Sequence, residues 1–498
     1  MFLRSLCRAA PRAAPTLLDF IPELQGKWAG NPAPLWRQEW KAAKHWTPID
    51  GTDAVQCTLS PRRCKIPRGK FGFCKMRGNP TGNELQTLAY GTSMGAALEG
   101  IETEAVFHFR PGAAILSLAN VGCDKRCIYC HNWAAGSQVE FLEGRDSEVT
   151  KFTPEQVVEL ALEHEIEILS WTYNDPVVWH EFVCKTAALG RKHGLVNLYK
   201  SAFGLNAEPV DELLDCIDIF SISLKTMDPK VYRKITGGGS LQPTLEGAKR
   251  VFESGKAHLE LSELVVTDVN DTAEEAKRTA KWVLEELSPD VPLHIVRFHP
   301  SFKYLDKPRT PVDRLRRFRR ILKEEGLNHV YLGNVYEPGT SNTHCLSCGQ
   351  LHVSRFGLTS KVVGLDEHGM CVQCGTPGAI VQPHQGRSPL EVCEGNPLGI
   401  FANDDVKSHR VTWNNEVNSV HVVLTQKGPI VLLREPMMSY EVIKAPLGRV
   451  ILSKSAIDET GLKVFAESSF DLFPVLDRAH FPVSKHQEDL ANKVNLQR

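Results

Sequence analysis

The chain has no surplus of either charge. Its 498 residues include 58 Lys and Arg against 59 Asp and Glu, a formal net charge of -1. Such a balance creates no field to draw in nucleic acid or an anionic membrane, so neither partner is expected. Long apolar runs are missing too. The longest mostly apolar stretch, 112–122, has about half the ~20 residues that a membrane-spanning helix requires. No motif recurs at a solenoid period, and 14 cysteines are too few to frame a disulfide scaffold of this length. With 42% hydrophobic and 23% charged residues, the composition is that of a folded globular protein, long enough for two to four domains. Ten of the cysteines fall into three groups at short spacings, the habit of metal sites rather than of disulfides.

Arg4, Arg8 and Arg12 precede the first acid, Asp19. That is the composition of a mitochondrial transit peptide, expected over 1–18, with the cytoplasm as the alternative compartment. From residue 111 to 335, β-branched runs alternate with amphipathic stretches of helical length, which predicts repeated βα units and a parallel sheet. The seven candidate strands are 113–118, 166–171, 195–200, 217–224, 259–266, 293–298 and 330–332. The fold class is therefore α/β, an incomplete TIM-like (βα)6-7 barrel. Residues 19–110 read as an irregular, Cys-containing leader, 336–385 as a Cys- and Gly-rich module, and 386–498 as a C-terminal domain of strand and turn pattern. A hairpin over 417–433 is its clearest signal.

Directly after the first strand, VGCDKRCIYCHNW spaces Cys123, Cys127 and Cys130 by three and two residues. Three thiolates in one loop suit a [4Fe-4S] cluster, which normally takes four cysteines. With three, one iron keeps an open position for a ligand. A zinc loop or a disulfide loop is the plainer alternative. Every unusual motif also follows a strand: Asn174 and Asp175 the second, Ser201 to Gly204 the third, Lys225 the fourth, Asp268 the fifth, His299 the sixth and Gly333-Asn334 the seventh. In βα barrels that end of the sheet is where active sites gather.

At these residues the chain resembles the radical S-adenosylmethionine (SAM) superfamily. More narrowly it is similar to the AmmeMemoRadiSam system radical SAM enzymes, relatives of the pyruvate formate-lyase activating enzymes. The resemblance covers roughly residues 50–380. It is carried by CDKRCIYCHNW, YNDP from Tyr173 to Pro176, YRKITG from Tyr232 to Gly237, RFHP from Arg297 to Pro300, and Gly333-Asn334-Val335 followed by paired CxxC motifs. It implies that SAM chelates the open iron and that an electron from the cluster yields a 5'-deoxyadenosyl radical, which abstracts hydrogen from an unidentified substrate. Asn174 and Asp175 then match the element that reaches the SAM amino group. Lys225 matches a SAM-side contact, although Ser223 replaces an acid found in relatives. His299 matches a histidine near the adenosyl or ribose, and Tyr129 an aromatic against the adenine. An external electron donor of the flavodoxin or ferredoxin kind is implied. Two alternatives stay open: an activase that places a glycyl radical on a protein substrate, and a non-catalytic interaction protein.

Cys345, Cys348, Cys371 and Cys374 form two CxxC pairs, each followed by glycine, as in a zinc ribbon, with an auxiliary iron-sulfur centre as the alternative. Cys57, Cys64 and Cys74 resemble a leader element of the same family in which a fourth Cys stands at Ser60. They read as reduced, partly buried thiols. The basic run Arg314, Arg316, Arg317, Arg319, Arg320 and Lys323 reads either as a solvated face or as a dock for an acidic electron donor.

Overall fold

Seven parallel strands and one antiparallel strand form the central sheet of the structure. It is a computed structural model that describes residues 31–32, 36–335, 337, 339–356, 358–389, 419–425, 428–434 and 449–451. The expected transit segment lies outside the described residues. The strands are β1 (Thr92–Gly100), β2 (Ala114–Asn120), β3 (Ile168–Thr172), β4 (Val196–Ser201), β5 (Ile219–Ser223), β6 (His258–Val265), β7 (Leu293–Arg297) and β8 (Val330–Gly333). They lie side by side in chain order. The pairs from β2 to β8 are all parallel, and β1 runs antiparallel to β2. The short strands Thr150–Lys151 and Asn31–Pro32 extend the sheet beyond β1.

Helices α1 (Pro154–Glu163), α2 (His180–Lys192), α3 (Ala207–Leu214), α4 (Pro229–Ile235), α5 (Gln242–Ser254), α6 (Ala273–Glu286) and α7 (Val312–Glu324) occupy the crossovers. Local chemistry sets their starts. Thr153 and Gln156 close a capping box ahead of Pro154, Asp228 caps α4 ahead of Pro229, and Thr272 caps α6.

Alternation along each strand sorts the side chains. Leu116, Leu118, Leu169, Trp171, Tyr199, Phe220, Ile222 and Leu261 face the helices in one continuous core. Each such burial contributes on the order of 1.5–3 kcal/mol. Ile115, Ile168, Leu198 and Ile219 instead form an apolar layer inside the barrel with Ile101, Val106 and Phe109. Beyond that layer the interior is polar. Lys200 on β4 reaches Ser221 on β5 and Ser262 on β6, both at 3.0 Å, which the sheet permits because its inner face is concave.

The leader is less irregular than its composition predicts. It holds a four-stranded and a three-stranded antiparallel sheet of very short strands, and the nine-residue β1 belongs to the central sheet. β1 reads TSMGAALEG, poor in β-branched residues, so only pairing with β2 makes it a strand. The module from Thr343 onward is a three-stranded antiparallel sheet, Thr343–His344, Leu351–Phe356 and Thr359–Val362. It docks under the N-terminal mouth of the barrel. Arg355, 4% exposed, donates to Phe107 O (2.5 Å) and Ser341 O (3.0 Å), and Val381 N donates to His108 O at 2.7 Å. Farther on, Ser419–Thr425 and Gly428–Arg434 pair antiparallel, closing between Thr425 and Gly428 near the expected hairpin. Most of 386–498 lies outside the described residues. No helix among the described residues is long and apolar enough to cross a membrane.

The basic run forms α7, where much of its charge is answered within the chain. Arg314 pairs with Asp268 (2.8 Å) and Asp271 (2.5 Å), Arg316 with Glu337 and Arg320 with Glu324, while Arg319 donates to Val330 O. This favours the solvated-face reading over a docking surface.

Candidate functional site

The loop after β2 carries Cys123, buried, and Cys127 and Cys130, half-buried. It is pinned from two sides. Arg126 N donates to Thr236 O and Ile128 N to Ile235 O, both at 3.0 Å; from the loop after β7, Lys303 N donates to Ile128 O (3.0 Å) and Ser301 Oγ to Cys130 O (3.2 Å). These contacts explain the glycine of YRKITG. At Gly237, φ is +68°, and a Cβ there would stand 2.6 Å from Arg126 Cβ. Gly122, at φ +85°, would likewise run its Cβ into Met76 of the leader.

The three thiols sense one another. Burial pushes Cys127 up to about 11, the Lys225 ammonium draws it back, and the Cys130 thiolate adds to the rise. Burial also raises Cys123 and Cys130. Among the described residues no group of three ligands within 4.8 Å of one another includes them. Three cysteines in one short loop suit a polynuclear cluster that leaves one iron without a protein ligand.

Around this loop the C-terminal ends of the strands share an uncommon backbone state. Tyr173 (φ +64°) after β3, Phe203 (+54°) after β4, Lys225 (+71°) after β5, Asp268 (+56°) after β6, Phe302 (+53°) after β7 and Asn334 (+56°) after β8 are all left-handed without being glycine. Such residues cost free energy and cluster where geometry serves function. Six successive strand ends in this state mark the rim as the working face.

Asn174 and Asp175, both buried, do different things. Asn174 Nδ2 donates to Asn120 O (2.5 Å) and Ala135 O (2.9 Å), and its Oδ1 is buried with no hydrogen bond among the described residues. Asp175 accepts from Ser201 Oγ (2.7 Å), Ala202 N (3.0 Å) and Val177 N (3.3 Å), and lies 3.6 Å from Lys125 Nζ. Its oxygens are occupied by the chain itself. Tyr129, 4% exposed, packs edge-on to Phe298 at 6.1 Å, and its buried hydroxyl also makes no hydrogen bond among the described residues. His299 is buried in the loop after β7, and Lys225 is half-buried after β5. All eight expected residues thus stand on one rim. Sequence reasoning missed Lys125, Asn120 and Ser301, which brace them. Only Lys125, inside the CDKRC spacing, offered a signal.

At the opposite end, the sulfurs of Cys345, Cys348, Cys371 and Cys374 all lie within 4.8 Å of one another, with Cys345 to Cys374 at 3.6 Å and Cys348 to Cys371 at 3.7 Å. Two matching turns build the group. Cys345 N donates to Gln350 O and Gly349 N to Cys345 O; Cys371 N donates to Thr376 O and Gly375 N to Cys371 O. The Thr376 hydroxyl lowers Cys345 to about 5 and also lowers Cys374. This is a zinc-ribbon-like module. Cys57, Cys64 and Cys74 line one small cavity with Arg62 and Asp124 as free thiols.

A partial βα barrel with an open three-thiol loop on its strained rim defines a class: metalloenzymes in which the bound group performs the chemistry and the fold positions it. Residues 119–283 match the Radical SAM superfamily. An uncharacterized protein of Methanocaldococcus jannaschii is 34% identical over 322 residues, which cover 64% of this chain and 94% of that protein. The chain belongs to the radical SAM superfamily, an enzyme family that uses a [4Fe-4S] cluster and SAM. A probable GTP 3',8-cyclase of Archaeoglobus fulgidus is 27% identical over 154 residues, 30% of this chain and 48% of that protein. Among solved structures, a domain of a pyruvate-formate lyase-activating enzyme from Bacteroides vulgatus matches at 18% identity and TM-score 0.29, covering 33% of this chain and 98% of its own. A radical SAM methyltransferase from Sphaerobacter thermophilus matches at 13% identity and TM-score 0.37, covering 66% and 84%.

Proposed function

We propose that the chain holds a [4Fe-4S] cluster through Cys123, Cys127 and Cys130 and cleaves SAM reductively to methionine and a 5'-deoxyadenosyl radical, which takes a hydrogen atom from a substrate in the barrel lumen. When bound, the cluster supplies the one electron for that cleavage and an iron open to the methionyl amino and carboxylate groups. The observation that carries this reading is the loop itself: three buried or half-buried thiols within eight residues, clamped onto the strained rim. The chain's own groups do the positioning. Asn174 Oδ1, aimed by the two carbonyls that hold its amide, accepts from the SAM ammonium, while Asp175 fixes the β3 and β4 loops. Lys225 faces the thiolates and stabilises negative charge there. Tyr129, its phenol kept protonated by burial, would donate to the nucleoside, and His299, by the family resemblance, would stand near the ribose. Replacing Asn174 with Ala raises KM for SAM about 10- to 100-fold, with little change in kcat, since one hydrogen bond to a charged group is lost. Steady-state 5'-deoxyadenosine release checks this. An unchanged KM would remove Asn174 from the SAM site.

Beneath the rim the lumen is polar. Burial lowers Lys200, which donates to Ser221 and Ser262, and raises Glu104, which accepts from Thr172. A polar substrate fits such a lining. Reduction requires an electron from outside, for which a flavodoxin- or ferredoxin-like donor is proposed.

The four ribbon thiols are proposed to hold one zinc. Four thiolates around a tetrahedral zinc stand about 3.8 Å apart, close to the distances seen and too tight for an iron-sulfur cube. The site's place under the barrel, on the side away from the rim, also suits a structural ion. Purified protein is expected to carry one zinc per chain at this site, lost in Cys371→Ser while the iron content stays unchanged. Elemental analysis decides, and iron in place of zinc would refute the assignment.

A further inference from the structure

On the outside of the barrel, His45 of the leader, His180 at the start of α2 and Glu212 on α3 bring one ligand atom each within 4.8 Å of the others. Three separate elements converge on this point. His180 Nε2 lies 3.0 Å from Glu212 Oε2 and His45 Nε2 lies 3.5 Å from the same oxygen, with the imidazole rings 5.0 Å apart. The His180 side chain is fully buried and that of His45 is 4% exposed. Despite that burial, His45 Nε2 makes no hydrogen bond among the described residues. Two buried ring nitrogens thus converge on one carboxylate oxygen, and the longer contact, from His45, falls short of hydrogen-bond geometry; a cation among the three would engage all of them.

We propose that His45, His180 and Glu212 bind a divalent transition ion of the zinc type, a site distinct from both the cluster loop and the ribbon. Two imidazoles and one carboxylate are a donor set that zinc accepts, with further positions left for water. The second ring nitrogen of His45, Nδ1, has the exposed Glu208 carboxylate 3.9 Å away, beyond hydrogen-bond distance. Cys184 flanks the group, its Sγ 3.7 Å from His180 Nε2. The cation now nearest is Lys44, whose Nζ stands 3.2 Å from Glu212 Oε2. It is 61% exposed and so able to yield its place.

The ion would fasten the leader to the barrel. His45 is held at φ +55°, and next to it Lys44 N donates to Glu181 Oε1 at 2.8 Å. The same leader carries Met76, against which Gly122 of the cluster loop packs.

The test is equilibrium dialysis of the full chain against Zn2+ alone, with bound zinc counted by elemental analysis, and parallel loading with Co2+. Wild type is expected to hold one zinc more than His45→Ala or Glu212→Gln. Its cobalt spectrum should contain a d–d component without thiolate charge transfer, lost in both variants while the ribbon's charge-transfer bands persist. Glu212→Gln, nearly isosteric at a half-exposed position, guards against misfolding of His45→Ala, and its zinc affinity at this site should fall at least ~10-fold. Equal zinc counts in wild type and Glu212→Gln, or cobalt bands of thiolate origin only, would overturn the proposal.

Discussion

Cys127→Ala abolishes reductive cleavage of SAM. Anaerobically reconstituted and reduced, the variant is expected to release 5'-deoxyadenosine only at the uncatalysed background, with its iron-sulfur absorption lost or strongly diminished. Cys127 is the middle ligand of the loop, and each thiolate removed from a three-cysteine set leaves a second iron without protein anchorage. The loop itself should survive the change. Its backbone is tied by Arg126 N to Thr236 O, Ile128 N to Ile235 O and Lys303 N to Ile128 O, none of which uses the Cys127 side chain. Circular dichroism and the ribbon's zinc content should therefore match wild type. Turnover by Cys127→Ala at more than a small fraction of the wild-type rate would refute the assignment of Cys127 as a cluster ligand, whereas wild-type protein that releases no 5'-deoxyadenosine would leave the interaction-protein reading standing.

Glu260→Ala is the variant with the largest expected loss of stability, about 3–5 kcal/mol. Glu260 on β6 is fully buried and accepts from four donors: Phe107 N (2.9 Å), His108 N (2.7 Å), His258 Nε2 (2.9 Å) and His294 Nε2 (2.7 Å). It is the anchor between the barrel floor and the segment on which the ribbon docks. Truncation leaves two buried backbone N–H groups and two histidines without their acceptor. Burial by itself would raise this carboxyl, but the hydrogen bonds from His258 and His294 hold it well below the usual carboxylate range. A group whose folded value is depressed contributes stability above its unfolded value, near pH 4.3, and loses it as pH falls toward the folded value. The gap in urea midpoint between wild type and Glu260→Ala should therefore be full at pH 7 and shrink on descent below about pH 4. A gap of the same size at pH 7 and pH 3 would mean that the carboxylate charge plays no part.

Much of the barrel was legible because its strands are buried on both faces. Runs such as Ile166 to Trp171 and Ile217 to Leu224 are apolar enough to be read without partners, and each observed strand falls within a residue or two of its expected span. β1 was not legible. Thr92–Gly100 has little preference for the extended state and becomes a strand through seven register pairs with β2. The rim residues were legible through their position after each strand, but their division of labour was not. Asn174 and Asp175 are neighbours of similar polarity, and only the fold shows one with a spare buried oxygen and the other with none. In α7 the basic run left a solvated face and a docking face both open by sequence, and only the fold set Asp268, Asp271 and Glu337, remote in sequence, beside it.

By itself the sequence determined the chemistry that depends on short spacing: three cysteines within eight residues after the first strand, and two CxxC pairs. A tight loop forces its own thiols together whatever surrounds it. The tertiary structure alone decided what depends on distant segments meeting. It placed the ribbon under the barrel and set Met76 against Gly122. It also gathered His45, His180 and Glu212, each unremarkable in its own stretch, onto one point. Contacts across 32 and 135 residues carry no local signature, because hydrophobic pattern and turn chemistry report on neighbours in the chain and not on neighbours in space.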